Sequence, residues 1–116
     1  NLSGQRAVIA RARGQADEAL RFAVEARALA VASTDVQAYL AASMLLVTLH
    51  QEANRLVDAY DALLRARASL TDLLGEQAAG LVQPALDVFE ERLGPAAFDA
   101  VHAEWAERRR QEKGGT

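Results

Sequence analysis

Two histidines, a run of three arginines and several neighbouring acids are the side chains of this sequence that could do chemistry. His50 and His102 are the only histidines. Neither stands in a motif of metal-ligand spacing, so no metal site is expected. His50 falls at a helix end, where a cation complements the negative pole. His102 has Phe98 and Val101 close by and reads as the edge of an interface. Glu90, Glu91, Glu104 and Glu107 fall on helix faces expected to be exposed. Acids without a pocket to raise their pKa are solvated surface. There is no glycine-rich phosphate loop and no nucleophile motif. The sequence therefore assigns no catalytic residue, no cofactor and no metal, and the chain is expected not to be an enzyme. The stretch "ERRRQEK", Glu107 to Lys113, invites a nucleic-acid reading. However, Glu104, Glu107 and Glu112 lie within helical reach of Arg108, Arg109 and Arg110, and basic residues at a helix C-terminus are the usual bias. The structural reading is preferred, with Trp105 as an anchor for its helix.

Any chemistry would have to be positioned by helices. The chain has 116 residues, enough for one domain with a core of its own, and 26 of them are alanine. Alanine at that level, with only two prolines, favours helix throughout. A net charge of −3 argues against a nucleic-acid surface spread over the whole domain. Cysteine is absent, which removes disulfides and thiolate metal sites and fits a reducing, cytoplasmic setting. No signal peptide is visible. The most apolar run, Val36 to His50, is shorter than the roughly 20 apolar residues a bilayer span needs. Because the chain opens at Asn1 inside what reads as a helix pair, it is expected to be a piece of a longer protein.

Six antiparallel helices in three stacked hairpins are expected, an all-α fold, with hairpins at about 3–32, 34–74 and 76–113 and a disordered tail at 114–116. The first helix places Ala7, Val8 and Ala10 inside and ends at Gly14. The second carries an alanine stripe, Ala19, Ala23, Ala26 and Ala30. Leu20, Val24 and Val31 form an apolar flank beside it, and Asp17, Arg21 and Glu25 an exposed ladder. Thr34 is expected to cap the third helix, with Asp35 in its first turn. That helix has no formal charge between Val36 and Leu49 and should be buried on most sides. The fourth shows Leu56, Tyr60, Leu63, Leu70 and Leu74 on one face, with an Asp61–Arg65 pair on the other. A fifth helix from about Glu76 to Leu93 carries Ala78, Val82, Ala85, Leu86, Phe89 and Leu93. Pro84 either kinks it or starts a new helix with Gln83 as cap. Gly94 and Pro95 separate it from a last helix that buries Phe98, Val101 and Trp105.

An offset of 40 residues superposes Gly14–Ala32 on Asn54–Asp72. Ala19 meets Ala59, Ala26 meets Ala66, Arg27 meets Arg67, Ala28 meets Ala68, and Gly14 meets Asn54, which also tolerates a helix-ending turn. A fixed period of this size is a signature of stacked helical hairpins. Small side chains let helix backbones approach closely, so one hairpin can nest on the next. The stretch "GQADEALRFAVEA" resembles the second half of a tetratricopeptide repeat, with Gly14, Ala19 and Ala26 at the turn and small positions and Asn54, Ala59 and Ala66 as the second copy. The period is longer than in that family and the second copy lacks the turn glycine. The longer helices resemble the repeat arrays of large bacterial ATP-binding regulators, including LuxR-type ones, and "ERLGPAAFDAVHAEWAE" is similar to the segment that ends such arrays.

The resemblance implies that the first helix of each pair lines a concave face. Val8 and Arg11 would contribute to it from the first pair, and Ala41, Met44, Thr48 and Gln51 from the second. Arg11 would bind a carboxylate and Met44 would adapt to an apolar side chain. The alternative leaves Met44 in the core and Arg11 in solvent. The resemblance further implies a scaffold for signalling or transcription regulation that binds a protein or peptide, including another domain of its own chain; the short apolar run and the charge pattern argue against a membrane partner and against nucleic acid for this segment. The competing expectation is self-association into a homo-oligomer through alanine-rich faces at the open ends of the stack.

Overall fold

The computed structural model describes residues 2–114, and among them every regular element is a helix. The chain forms two compact units, residues 1–55 and 56–116. The hairpin expected at 34–74 is therefore divided, its first helix belonging to one unit and its second to the other.

The first unit holds α1 (Leu2–Ala12), α2 (Ala16–Ala32) and α3 (Val36–Glu52). Its three helices end in the same way, at Gly14 (φ 76°), Thr34 (φ 52°) and Asn54 (φ 58°). At the first turn the Gly14 N–H donates to Arg11 O and the Gln15 N–H to Ala10 O, at 3.1 and 2.9 Å. Thr34 and Asp35 repeat the pair onto Val31 and Ala30, and Asn54 and Arg55 onto Gln51 and His50. This is the left-handed termination that satisfies the last carbonyls of a helix. The expected alignment of Gly14 with Asn54 thus appears in the backbone as two positive φ values. Thr34 departs from its expected role: it closes α2, and Asp35 is the cap of α3, its side chain accepting the Ala38 N–H at 3.0 Å.

Ala19, Ala23, Ala26 and Ala30 of α2 are all buried, as are Ala7 and Ala10 of α1. The flank beside the α2 stripe is not: Val24 and Val31 are exposed, and Leu20 is half-buried. The seven-residue step from Val24 to Val31 follows the helix period, but it falls on a side of α2 left open. Val8, expected inside, is 57% exposed. The charged ladder has a different register, because Arg21 reaches Glu18 at 4.0 Å. The third helix buries Tyr39, Ala42, Ser43, Leu46, Val47 and Leu49, in keeping with its uncharged sequence.

The second unit is built on α4 (Leu56–Leu74), against which pack a 3₁₀ helix (Glu76–Leu81), α5 (Gln83–Leu93) and α6 (Pro95–Gly114). Tyr60, Leu63 and Leu70 are buried, as are the repeat alanines Ala59 and Ala66. Leu56 is half-buried and Leu74, at the helix end, is exposed. The single helix expected over Glu76–Leu93 is broken, and Pro84 lies in the first turn of the new helix. Proline has no N–H to give and its ring clashes with the carbonyl four residues back, here that of Gly80. The residue before α5 is Val82 rather than Gln83, which donates instead to Asp87 Oδ1 at 2.9 Å. Gly94 (φ 82°) turns the chain into α6. Of the expected tail, Gly114 ends α6, and residues 115 and 116 lie outside the described residues. Among the described residues no helix is long and apolar enough to cross a membrane.

Candidate functional site

In the first unit α2 returns antiparallel between α1 and α3, so that α1 and α3 point the same way. Their C-terminal ends are tied by a two-pronged ion pair. Arg11 Nε donates to Glu52 Oε1 at 2.9 Å and Arg11 Nη2 to Oε2 at 2.6 Å. The matched fork geometry makes this the strongest kind of side-chain ion pair, although both groups face solvent. The hydrogen bond, reinforced by charge, holds the Glu52 carboxyl below its ordinary range and the Arg11 guanidinium above its own.

A groove with a volume of about 590 Å³ runs along the surface of this unit. Gly4, Gln5, Val8 and Ile9 line it from α1, Ala38, Ala41, Ala42 and Leu45 from α3, and Ala26 from α2. Its origin is steric. Gly4, Ala26, Ala38, Ala41 and Ala42 are too small to fill the valley, while Val8, Ile9 and Leu45 give it apolar walls. Gln5 is the one polar side chain in that lining. Such a surface binds by burial of apolar area, with few polar groups to orient a ligand.

The structure brings two of the six expected concave-face residues, Val8 and Ala41, into this groove, and both are exposed. Arg11 is exposed as well, but its guanidinium is engaged by Glu52, a partner the sequence reading did not foresee. Met44, Thr48 and Gln51 are half-buried and are not among the groove residues. Thr48 turns its hydroxyl back to the Met44 carbonyl at 3.2 Å. Sequence reasoning missed Gly4, Gln5, Ile9, Ala26, Ala38, Ala42 and Leu45 as groove residues. The period of the helix could have found Ala38 and Leu45, which stand three before and four after Ala41.

A second constellation lies in the other unit, where α6 crosses α4. The Tyr60 hydroxyl and His102 Nδ1 share a hydrogen bond of 2.8 Å. Trp105 Nε1 donates to Asp61 Oδ1 at 3.0 Å, and Arg108 Nη1 to Asp58 Oδ1 at 3.1 Å. The rings of Phe89, Phe98, His102 and Trp105 surround Tyr60 with centroids 5.5–5.8 Å away. Burial pushes the Tyr60 phenol above its ordinary range, so it stays protonated and is a hydrogen-bonding group at neutral pH. Rings flank the buried Tyr60 while His102 stays exposed, and the cluster works as a clasp for α6. The Asp61–Arg65 pair expected from the sequence is present at 3.4 Å, with Asp61 shared by Trp105. The three arginines of "ERRR" each find a glutamate: Arg108 meets Glu104 at 3.7 Å, Arg109 meets Glu112 at 3.9 Å, and Arg110 pairs with Glu107.

Compared with family profiles, with curated proteins and with solved structures, the chain finds no match.

Proposed function

We propose that this chain is a non-catalytic, protein-binding helical module that takes a peptide segment or a neighbouring domain into the α1–α3 groove. The observation that carries this reading is the groove itself: an apolar valley between two parallel helices, walled by Val8, Ile9 and Leu45 and floored by alanine. The occupant is a stretch presenting apolar side chains, since the lining offers almost nothing for charge recognition. Two positive-φ turns 40 residues apart, with buried alanines at matching positions, support a tetratricopeptide-like stack as the scaffold. The parent we propose for it is a cytoplasmic signalling or transcription-regulating protein, a reading supported by the resemblance of the sequence to bacterial regulator arrays.

The test is a selection of displayed peptides against the chain, followed by fluorescence anisotropy with the recovered sequences. Val8→Asp sets an unpaired charge in the valley and is expected to weaken binding at least about tenfold. Val88→Asp, at an exposed position of the other unit, should leave it unchanged. Equal binding by both variants would overturn the assignment of the groove.

A further inference from the structure

A different face of the first unit is left open, and it does not involve the groove as a binding site. On α1, Leu2, Arg6 and Ile9, with Arg13 just beyond the helix end, follow steps of four, three and four residues. On α2, Glu18, Phe22, Glu25 and Leu29 follow the same steps. Each set is one stripe of a helix. The two stripes adjoin, since the Arg6 guanidinium lies 5.9 Å from the centre of the Phe22 ring. Leu2, Ile9 and Leu29 are 67%, 50% and 47% exposed, while Phe22 is half-buried. Ile9 stands at the border between this face and the groove. Among the described residues Arg6 and Arg13 are exposed and pair with no carboxylate of their own chain, and Glu18 reaches only Arg21, at 4.0 Å.

The two stripes are complements of each other when read in opposite directions. Leu2 falls opposite Leu29, Arg6 opposite Glu25, Ile9 opposite Phe22, and Arg13 opposite Glu18. We infer that this face is a homodimer interface, occupied by the same face of a second copy of the chain. A two-fold axis running along the helices lays α1 of one copy on α2 of the other, antiparallel. Every ion pair and every apolar pair then forms twice, as a self-complementary interface requires. The perpendicular two-fold would instead set α1 on α1, antiparallel, so that with the stripes in full overlap Leu2 faces Arg13 of the partner, Arg6 faces Ile9, Glu18 faces Leu29 and Phe22 faces Glu25. Charged groups set against apolar ones, with no ion pair formed, disfavour that arrangement, so the pattern favours the two-fold along the helices.

Charge reversal tests this on the full chain, by sedimentation or light scattering across the micromolar range. The wild type should dimerise. R6E/R13E and E18R/E25R should each lose at least about tenfold in dimer affinity, with helical content by circular dichroism unchanged. Mixed together, the two variants should dimerise again, because each supplies the charges the other lacks. The full exchange, R6E/R13E/E18R/E25R, should pair with itself and refuse the wild type. A wild type that stays monomeric overturns the proposal in favour of another occupant. Dimers indifferent to the reversals overturn it too, as does a mixture that fails to reassemble.

Discussion

Thr34 carries a backbone conformation that its side chain opposes. A β-branched residue at positive φ sets Cβ against the neighbouring carbonyl, at a cost of about 1–2 kcal/mol. Gly14 and Asn54 do the same work with less strain, the first for want of a Cβ and the second because asparagine is enriched in this region. Thr34→Gly is therefore expected to raise stability by about 1 kcal/mol, read as an increase in melting temperature. A drop would show that the hydroxyl, which donates to the Ser33 carbonyl at 2.7 Å, outweighs the strain. Sequence alone could mark Gly14, because a glycine between two helical patterns has one obvious use. It could not mark Thr34, since a threonine followed by aspartate reads equally well as the start of a helix. Only the hydrogen bonds, with Thr34 closing onto Val31 and Asp35 receiving Ala38, separate the two roles.

The alanine stripes of α2 and α4 were legible because their period matches the helix and their side chains leave one answer to what lies against them. Ala19 and Ala59 are both wholly buried. Leucine at either position has no room, and Ala19→Leu and Ala59→Leu should each cost about 1–3 kcal/mol. Ala28 and Ala68 lie on the same helices but face solvent, and leucine there should shift stability by no more than about 0.5 kcal/mol. Thermal melts of the four variants compare the two faces directly. The apolar flank of α2 misled for a related reason. Val24 and Val31 have the right spacing for burial, yet periodicity reports only that a stripe exists and says nothing about whether an element covers it. The break in the fifth helix was announced by Pro84, while the 3₁₀ turn ahead of it was not, because a short run such as "EQAAGL" has too few residues to show its period.

Charge is distributed unevenly over the molecule. Residues 1–55 hold six arginines against five acids, whereas residues 56–116 hold seven basic and eleven acidic side chains. The basic run near the C-terminus sits in the acidic half, and each of its arginines is met by a glutamate. Full-length chain is expected to leave duplex DNA unretarded in a gel even at low ionic strength, where non-specific binding is strongest. Retardation that fades with added salt would contradict this. The site was partly readable at this scale. Val8 and Ala41 followed from placing repeat helices side by side, but Glu52 did not, since nothing local to Arg11 announces a partner 41 residues away.

The three turns at positions 14, 34 and 54 fall at equal intervals of twenty residues. Each helix and its turn thus occupy a fixed length of chain, and the helices are phased by that length. One inserted residue in the middle of α2 would rotate everything beyond it by about 100°, swinging the alanine stripe out of the core on one side of the insertion. Extra residues at a turn would carry no such rotation into the helix body. Natural or engineered lengthening of this chain should accordingly be tolerated at those three corners and rejected between them.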